Sequence, residues 1–153
     1  MLAVNRLREF VAEAVSDIEA LNSGKVVVTK EEISRFMRDH EIENNMLLIG
    51  IVPEHDIFGT EDDIKTNNDL GFYILTKTDY SEHDHDSFLD IFSDTQLVAF
   101  DLVEYIIEKN ADRNSAICGL FQNLDKVNFP ITPIKGLNGC NGYFIGISFD
   151  TAF

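Results

Sequence analysis

The N-terminus carries a stripe of apolar residues that limits the folds open to this chain. Successive members are three or four positions apart: Val4, Leu7, Val11, Ala14, Ile18 and Leu21. This spacing places them on one side of an α-helix, and the following Asn22-Ser23-Gly24 is typical of a helix end. We therefore predict a helix over residues 2–22. Three heptads are not stable alone in water, so the stripe must be covered by the rest of the fold or by another chain.

A second helix is predicted directly after this one. Thr29 and Glu32 have the spacing of a capping box, which starts a helix at Lys30 and carries it to about His40. The three valines before Thr29 fit either a short strand or an extended linker. We predict that residues 1–40 form an N-terminal helical segment and residues 41–153 form the core domain.

The core domain alternates apolar runs with polar connections. Strands are predicted at 45–52, 70–78, 116–121 and 142–150, a long helix at 88–109, an acidic loop at 54–69, and a loop with extended pieces at 123–142. Pro53 is expected to end the first strand. The predicted class is α+β: N-terminal helices precede a β-β-α-β-β core in which an antiparallel sheet packs on the long helix.

The charge of the chain is concentrated in the core domain. Lys and Arg number 12 against 27 Asp and Glu, giving a net charge of −15. Residues 1–40 hold 6 basic and 7 acidic side chains, whereas residues 41–153 hold 6 and 20. Such an excess disfavours specific binding to nucleic acid and to anionic membranes. The longest apolar run, 46–52, is also too short to span a bilayer.

Candidate chemistry is sparse. His55, His83 and His85, surrounded by aspartates, could bind a divalent metal, but their spacing matches no metal-binding motif. Cys118 and Cys140 could meet in the sheet, and the sequence does not decide whether they pair; two buried thiols are favoured. No phosphate-binding glycine loop or nucleophile motif is present. We predict no catalytic residues, no cofactor and no metal, and a protein that is not an enzyme.

Several apolar residues are instead predicted to contact other chains. The two long loops are expected to contribute to these contacts. The predicted interface residues are Val4, Leu7, Val11, Ile18, Leu21, Phe58 and Phe153.

The order of elements, with the closing run from Leu137-Asn138-Gly139-Cys140 to Ser148-Phe149, resembles a group of tailed-phage structural proteins. These are the tail-completion, tail-terminator and neck-ring proteins, and the resemblance covers residues 41–153. It implies a non-enzymatic virion subunit that forms a ring with its own copies and contacts neighbouring virion proteins. It also implies an acidic surface facing a DNA lumen, and a location in the virion, with the host cytoplasm as the site of assembly.

Two other functions are compatible with the residues. One is a metal-binding protein or metal-dependent enzyme that uses His55, His83 and His85. The other is an acidic immunity-type protein that binds a basic partner.

Overall fold

The computed structural model describes residues 2–60, 63–121 and 127–152, apart from the side chains of Lys30 and Ala152. Within these ranges the chain forms three α-helices and five strands. The helices are α1 (Val4–Asp17), α2 (Lys30–Asp39) and α3 (His85–Ala111). The strands are β1 (Ser23–Val27), β2 (Leu47–Thr60), β3 (Asp63–Lys77), β4 (Ile131–Leu137) and β5 (Cys140–Ala152).

The strands form one mixed sheet in the order β1-β2-β3-β5-β4. β1 pairs with β2 in parallel, and the other neighbours are antiparallel. The predicted α+β class is confirmed, whereas the prediction of a purely antiparallel sheet is wrong. The reason is that α2 connects β1 to β2 as a crossover, which is the connection that parallel neighbours require.

The strand predictions differ from the structure in three places. Residues 116–121 form turns rather than a strand, and β4 lies inside the predicted 123–142 loop, so the predicted β-β-α-β-β core is not matched strand for strand. Within the predicted 54–69 loop, residues 54–60 and 63–69 instead form the outer half of the β2–β3 hairpin. β2 continues past Pro53 because the ladder is interrupted between Ile51 and Glu54, where the missing N–H of proline breaks no pairing.

Other features follow from local interactions. The Thr29–Glu32 capping box is confirmed, with Thr29 Oγ1 accepting from the Glu32 N–H at 3.2 Å. The turn between β4 and β5 is Asn138-Gly139, and both residues have positive φ, as a tight two-residue hairpin turn demands. α3 is continuous through residues 93–95, where the Thr95 hydroxyl donates to the Ile91 carbonyl within the helix.

The N-terminal stripe is part of the chain's own core. α1 ends at Asp17, earlier than predicted, and packs with α3 on one side of the sheet. Glycines let it approach closely: a Cβ on Gly24 would lie 2.6 Å from Val15 Cγ2, and one on Gly50 would lie 3.0 Å from Val11 Cγ2. The prediction of an intermolecular interface is therefore wrong for three residues, which are already covered: Leu7, Ile18 and Leu21. Val11 is also buried, but it lines a groove between α1 and β1, and its interface role stays a prediction.

The boundary predicted at residue 40 does not separate two packing units. β1 is a strand of the common sheet, and α2 covers the side of the sheet opposite to α1 and α3. Ile33 and Met37 of α2 pack there against Leu47, Leu75 and Cys140. The N-terminal elements thus build one border of a single α+β unit, and residues 1–40 carry 6 of the 12 basic residues of the chain.

Candidate functional site: assembly surfaces

An exposed row of apolar side chains runs along the solvent side of α3. Its members, which we call the helix stripe, are Leu89, Leu97, Phe100 and Ile107, with exposed fractions of 51%, 62%, 50% and 42%. The opposite side of the helix is buried against the sheet and α1, for example at Val98 and Leu102. Intramolecular packing therefore leaves four large apolar side chains uncovered on the solvent side of α3, among acidic and polar neighbours. Groups of exposed apolar residues of this kind mark interaction sites.

Acidic residues border the helix stripe. Asp90, Asp94, Asp101 and Glu108 are all exposed on α3. The helix has a single lysine, Lys109, whose Nζ lies 3.3 Å from Asp17 Oδ2. A partner for the helix stripe must accordingly tolerate, or neutralise, a negative border.

The outer half of the β2–β3 hairpin forms a second apolar surface. We call residues 54–60 and 63–69 the arm. It exposes Ile57, Phe58 and Ile64, of which Ile57 is 63% exposed. The structure thus places the predicted interface residue Phe58 at the surface, and Val4 is exposed as well; their interface role stays a prediction. Phe153 lies outside the described residues.

The base of the arm is fixed by one buried amide. The Asn68 side chain is fully buried, and its Nδ2 donates to the Phe149 carbonyl at 3.1 Å. Its Oδ1 lies 2.8 Å from His55 Nδ1. These contacts join β2, β3 and β5, so the arm leaves the sheet in a defined direction.

The three histidines of the metal-binding alternative lie in two separate parts of the fold. His55 is on the arm and already bonded to Asn68. His83 and His85 flank Asp84, the N-cap of α3, whose carboxylate accepts from the Ser87 N–H at 2.9 Å. Among the described residues, no group of three His, Cys, Asp or Glu side chains is arranged to hold a metal ion. The geometry therefore lends no support to the metal-binding alternative.

The open side of the sheet beside α2 contains a groove of about 510 Å³. Its floor is apolar or lacks side chains, with Phe144, Gly71 and Gly146 among the lining residues. At one end Glu54 and Asp69 stand directly opposite each other on β2 and β3. Like charges in this position destabilise a sheet, so a cationic group bound there would relieve the repulsion. The immunity-type alternative, with its basic partner, stays a prediction.

A second groove, of about 590 Å³, lies between α1 and the free side of β1. We call it the edge groove. Its lining residues are apolar with two cations: Arg8, Val11, Ala12, Val15, Gly24, Lys25 and Val26. In the described part of the chain, Arg8 and Lys25 have no carboxylate within salt-bridge distance, and Lys25 Nζ lies 5.5 Å from the centre of the Phe36 ring. The edge groove is thus a cationic surface on a strongly acidic protein.

A polar cluster ties the end of α1 to α3. The Tyr105 hydroxyl donates to Asp17 Oδ2 at 2.7 Å, and Lys109 binds the same oxygen. The Tyr105 hydrogen bond and the Lys109 ammonium hold the pKa of the Asp17 carboxyl below its ordinary value, whereas burial and Asp17 raise the pKa of Tyr105. Both shifts follow from a structural contact that fixes α1 against α3.

The lowered pKa of Asp17 predicts a pH dependence of stability. Because its folded pKa lies below the ordinary value of 3.8, Asp17 stabilises the fold above that pH and loses this contribution as the pH falls through the folded pKa. We expect Asp17→Asn to lower the thermal unfolding midpoint at pH 7. The gap between Asp17→Asn and the wild type should narrow as the pH falls below about 4. A gap that widens at low pH would contradict this assignment. Exposed Glu19 provides the control Glu19→Gln, which should leave the midpoint unchanged.

Both cysteines are free thiols. Cys140 is buried, and burial raises the pKa of its thiol. Cys118 is half-buried and lies in the turns after α3, not in the strand that the sequence predicts.

Within the described ranges, none of the helices combines the length and the apolar character needed to cross a membrane. No protein-family model matches this sequence, and neither does any curated protein sequence.

Proposed function

We propose that this chain is a non-catalytic structural subunit that assembles with further copies of itself. More specifically, we propose that it is a ring subunit at the head–tail or tail-completion interface of a tailed-phage virion. In that role it acts by contact: it binds neighbouring copies and adjoining virion proteins, and it transforms no substrate.

The observation that carries this proposal is the helix stripe. Four large apolar side chains on one side of a 27-residue helix remain about half exposed or more, although the other side of α3 is fully packed. Fully burying a side chain of this kind is worth about 1.5–3 kcal/mol, and because these four are already about half covered, burying the rest of each is worth roughly half of that. A neighbouring subunit that covered the helix stripe would gain several times that amount, which supports association as its role.

The acidic border indicates which surface covers the helix stripe. A second α3 would bring Asp94 and Asp101 against the same carboxylates of its partner, and like charges at an interface are unfavourable. The occupant that we propose is therefore a different surface of a second copy. Contacts between unlike surfaces generate rings when the rotation between subunits closes.

The distribution of charge also supports a ring on a DNA path. Residues 41–153 carry 20 acidic and 6 basic side chains. An acidic wall repels phosphates and releases no counterions on contact with them, so DNA would pass without being retained. We propose that part of this acidic surface faces a lumen.

Negative-stain electron microscopy of the purified chain tests the proposal. The expected images show closed rings of one diameter with a central opening. Separate particles of the size of one subunit, at every concentration that permits imaging, would contradict it.

A further inference from the structure

We infer that neighbouring copies are joined head to tail, with the arm of one copy added to the free edge of β1 in the next. This inference rests on the proposed self-assembly and identifies the two surfaces that make one of its contacts.

Both surfaces have unpaired strand edges. Among the described strands, β1 has a neighbour on one side only, which is β2. That pairing ends at Val27 and Ile51, so residues 54–60 of β2 are paired with β3 alone. Exposed edges carry unpaired N–H and C=O groups and are templates for strand addition from another chain. The arm offers seven residues to an edge of five, so it is long enough to pair with the whole edge.

The side chains complement each other on both sides of the added strand. Side chains alternate along a strand, which puts Glu54 and Asp56 on one side of the arm and Ile57 on the other. The free edge of β1 likewise presents a charged side chain on one side of the sheet and an apolar side chain on the other. Lys25 points toward α2, since it is in register with Ile49, whereas Val26 points toward α1. One orientation of the arm therefore brings the carboxylates to Lys25 and the isoleucine to the apolar lining of the edge groove.

The two surfaces also carry opposite charges. The arm carries four acidic side chains, Glu54, Asp56, Asp63 and Asp69, and one lysine, Lys65, which is already paired with Asp63. At the edge of β1, Lys25 lies on the same side as the arm's carboxylates and Arg8 lies on the opposite side, that of α1. The described part of the chain supplies no ion pair for either. Two arms repel each other, and two edge grooves do as well, but an arm and an edge groove attract. The contact is thus between unlike surfaces, which is the condition for a ring.

Charge reversal on each surface tests this contact. The groove variant is Arg8→Glu/Lys25→Glu and the arm variant is Glu54→Lys/Asp56→Lys; all four residues are exposed. Each variant alone sets like charges against each other, and we expect light scattering to give the mass of one chain, 17.3 kDa. An equimolar mixture should reassemble, because each arm then meets an edge groove of opposite charge. The chain that carries all four substitutions should assemble by itself for the same reason.

Light scattering also measures the control variant and the outcomes that would contradict the inferred contact. Arg38→Glu/Arg113→Glu changes the net charge as much as the groove variant does, at exposed positions that do not line the edge groove, and should keep the wild-type mass. Circular dichroism should show the same fold for every variant. If either variant alone keeps the wild-type mass, or if the mixture stays monomeric, the inferred contact is wrong while self-assembly stands. A wild type that is monomeric throughout would overturn both.

Discussion

Replacing Leu7 by alanine is expected to lower the free energy of unfolding by about 2–5 kcal/mol. The Leu7 side chain is fully buried between α1 and the sheet, and a Cβ on Gly50 would lie 3.5 Å from its Cδ1. Truncation removes apolar contacts and leaves a cavity that the tightly seated helix cannot fill by moving. Denaturant unfolding followed by circular dichroism measures this change.

Val4→Ala is the matched control for this core position. Val4 lies on the same helix but is 44% exposed, so its truncation should change the free energy of unfolding by no more than about 0.5 kcal/mol. The comparison separates a core role of α1 from an intermolecular one. If Leu7→Ala unfolded like the wild type and changed only the oligomeric mass, the covered position of α1 would be wrong.

Leu97→Glu/Phe100→Glu is expected to abolish assembly through the helix stripe without unfolding the chain. Both side chains are at least half exposed, so the fold of the single chain loses little. At an interface, the two side chains lose the burial of their exposed halves, which costs about 1.5–3 kcal/mol together and raises the dissociation constant at least about 10-fold. Light scattering over a dilution series measures the mass, and the thermal midpoint reports the fold.

The control for the helix stripe has the same change in net charge. Arg113→Glu, at an exposed position beyond the end of α3, alters the charge by −2, as the double substitution does. It should assemble like the wild type. An unchanged mass for Leu97→Glu/Phe100→Glu would show that the helix stripe is not an assembly surface.

The sequence could predict those elements whose signals are local. The capping box at Thr29 and the Asn138-Gly139 turn depend on neighbouring residues and on backbone conformations that few residue types adopt. The pattern of the N-terminal stripe was equally readable. The sequence could not show which chain covers the stripe, because this cover depends on Gly24 and Gly50. These two glycines belong to separate strands and meet α1 only in the folded sheet.

The arm was mispredicted because tertiary pairing outweighs local propensity there. Asn67, Asn68 and the surrounding acidic residues favour a loop in isolation. In the fold, β5 pairs along this segment, and the buried Asn68 amide joins three strands. Residues 116–121 show the converse: their apolar side chains suggested a strand, whereas Ile117 and Phe121 enter the core from turns.

The helix stripe had a signal that was open to a different interpretation. Leu89, Leu97 and Phe100 widen the apolar side of α3 beyond the width that one sheet can cover. In the sequence, these three residues cannot be told apart from additional core positions. Only the position of α3 at the outside of the fold identifies the excess as surface.

Native mass spectrometry of the wild-type chain over a range of concentrations is the most direct test of self-assembly. We expect a closed species at one fixed integer multiple of 17.3 kDa, whose mass does not increase further as the concentration rises. A spectrum that contains only the 17.3 kDa monomer at every concentration would contradict it.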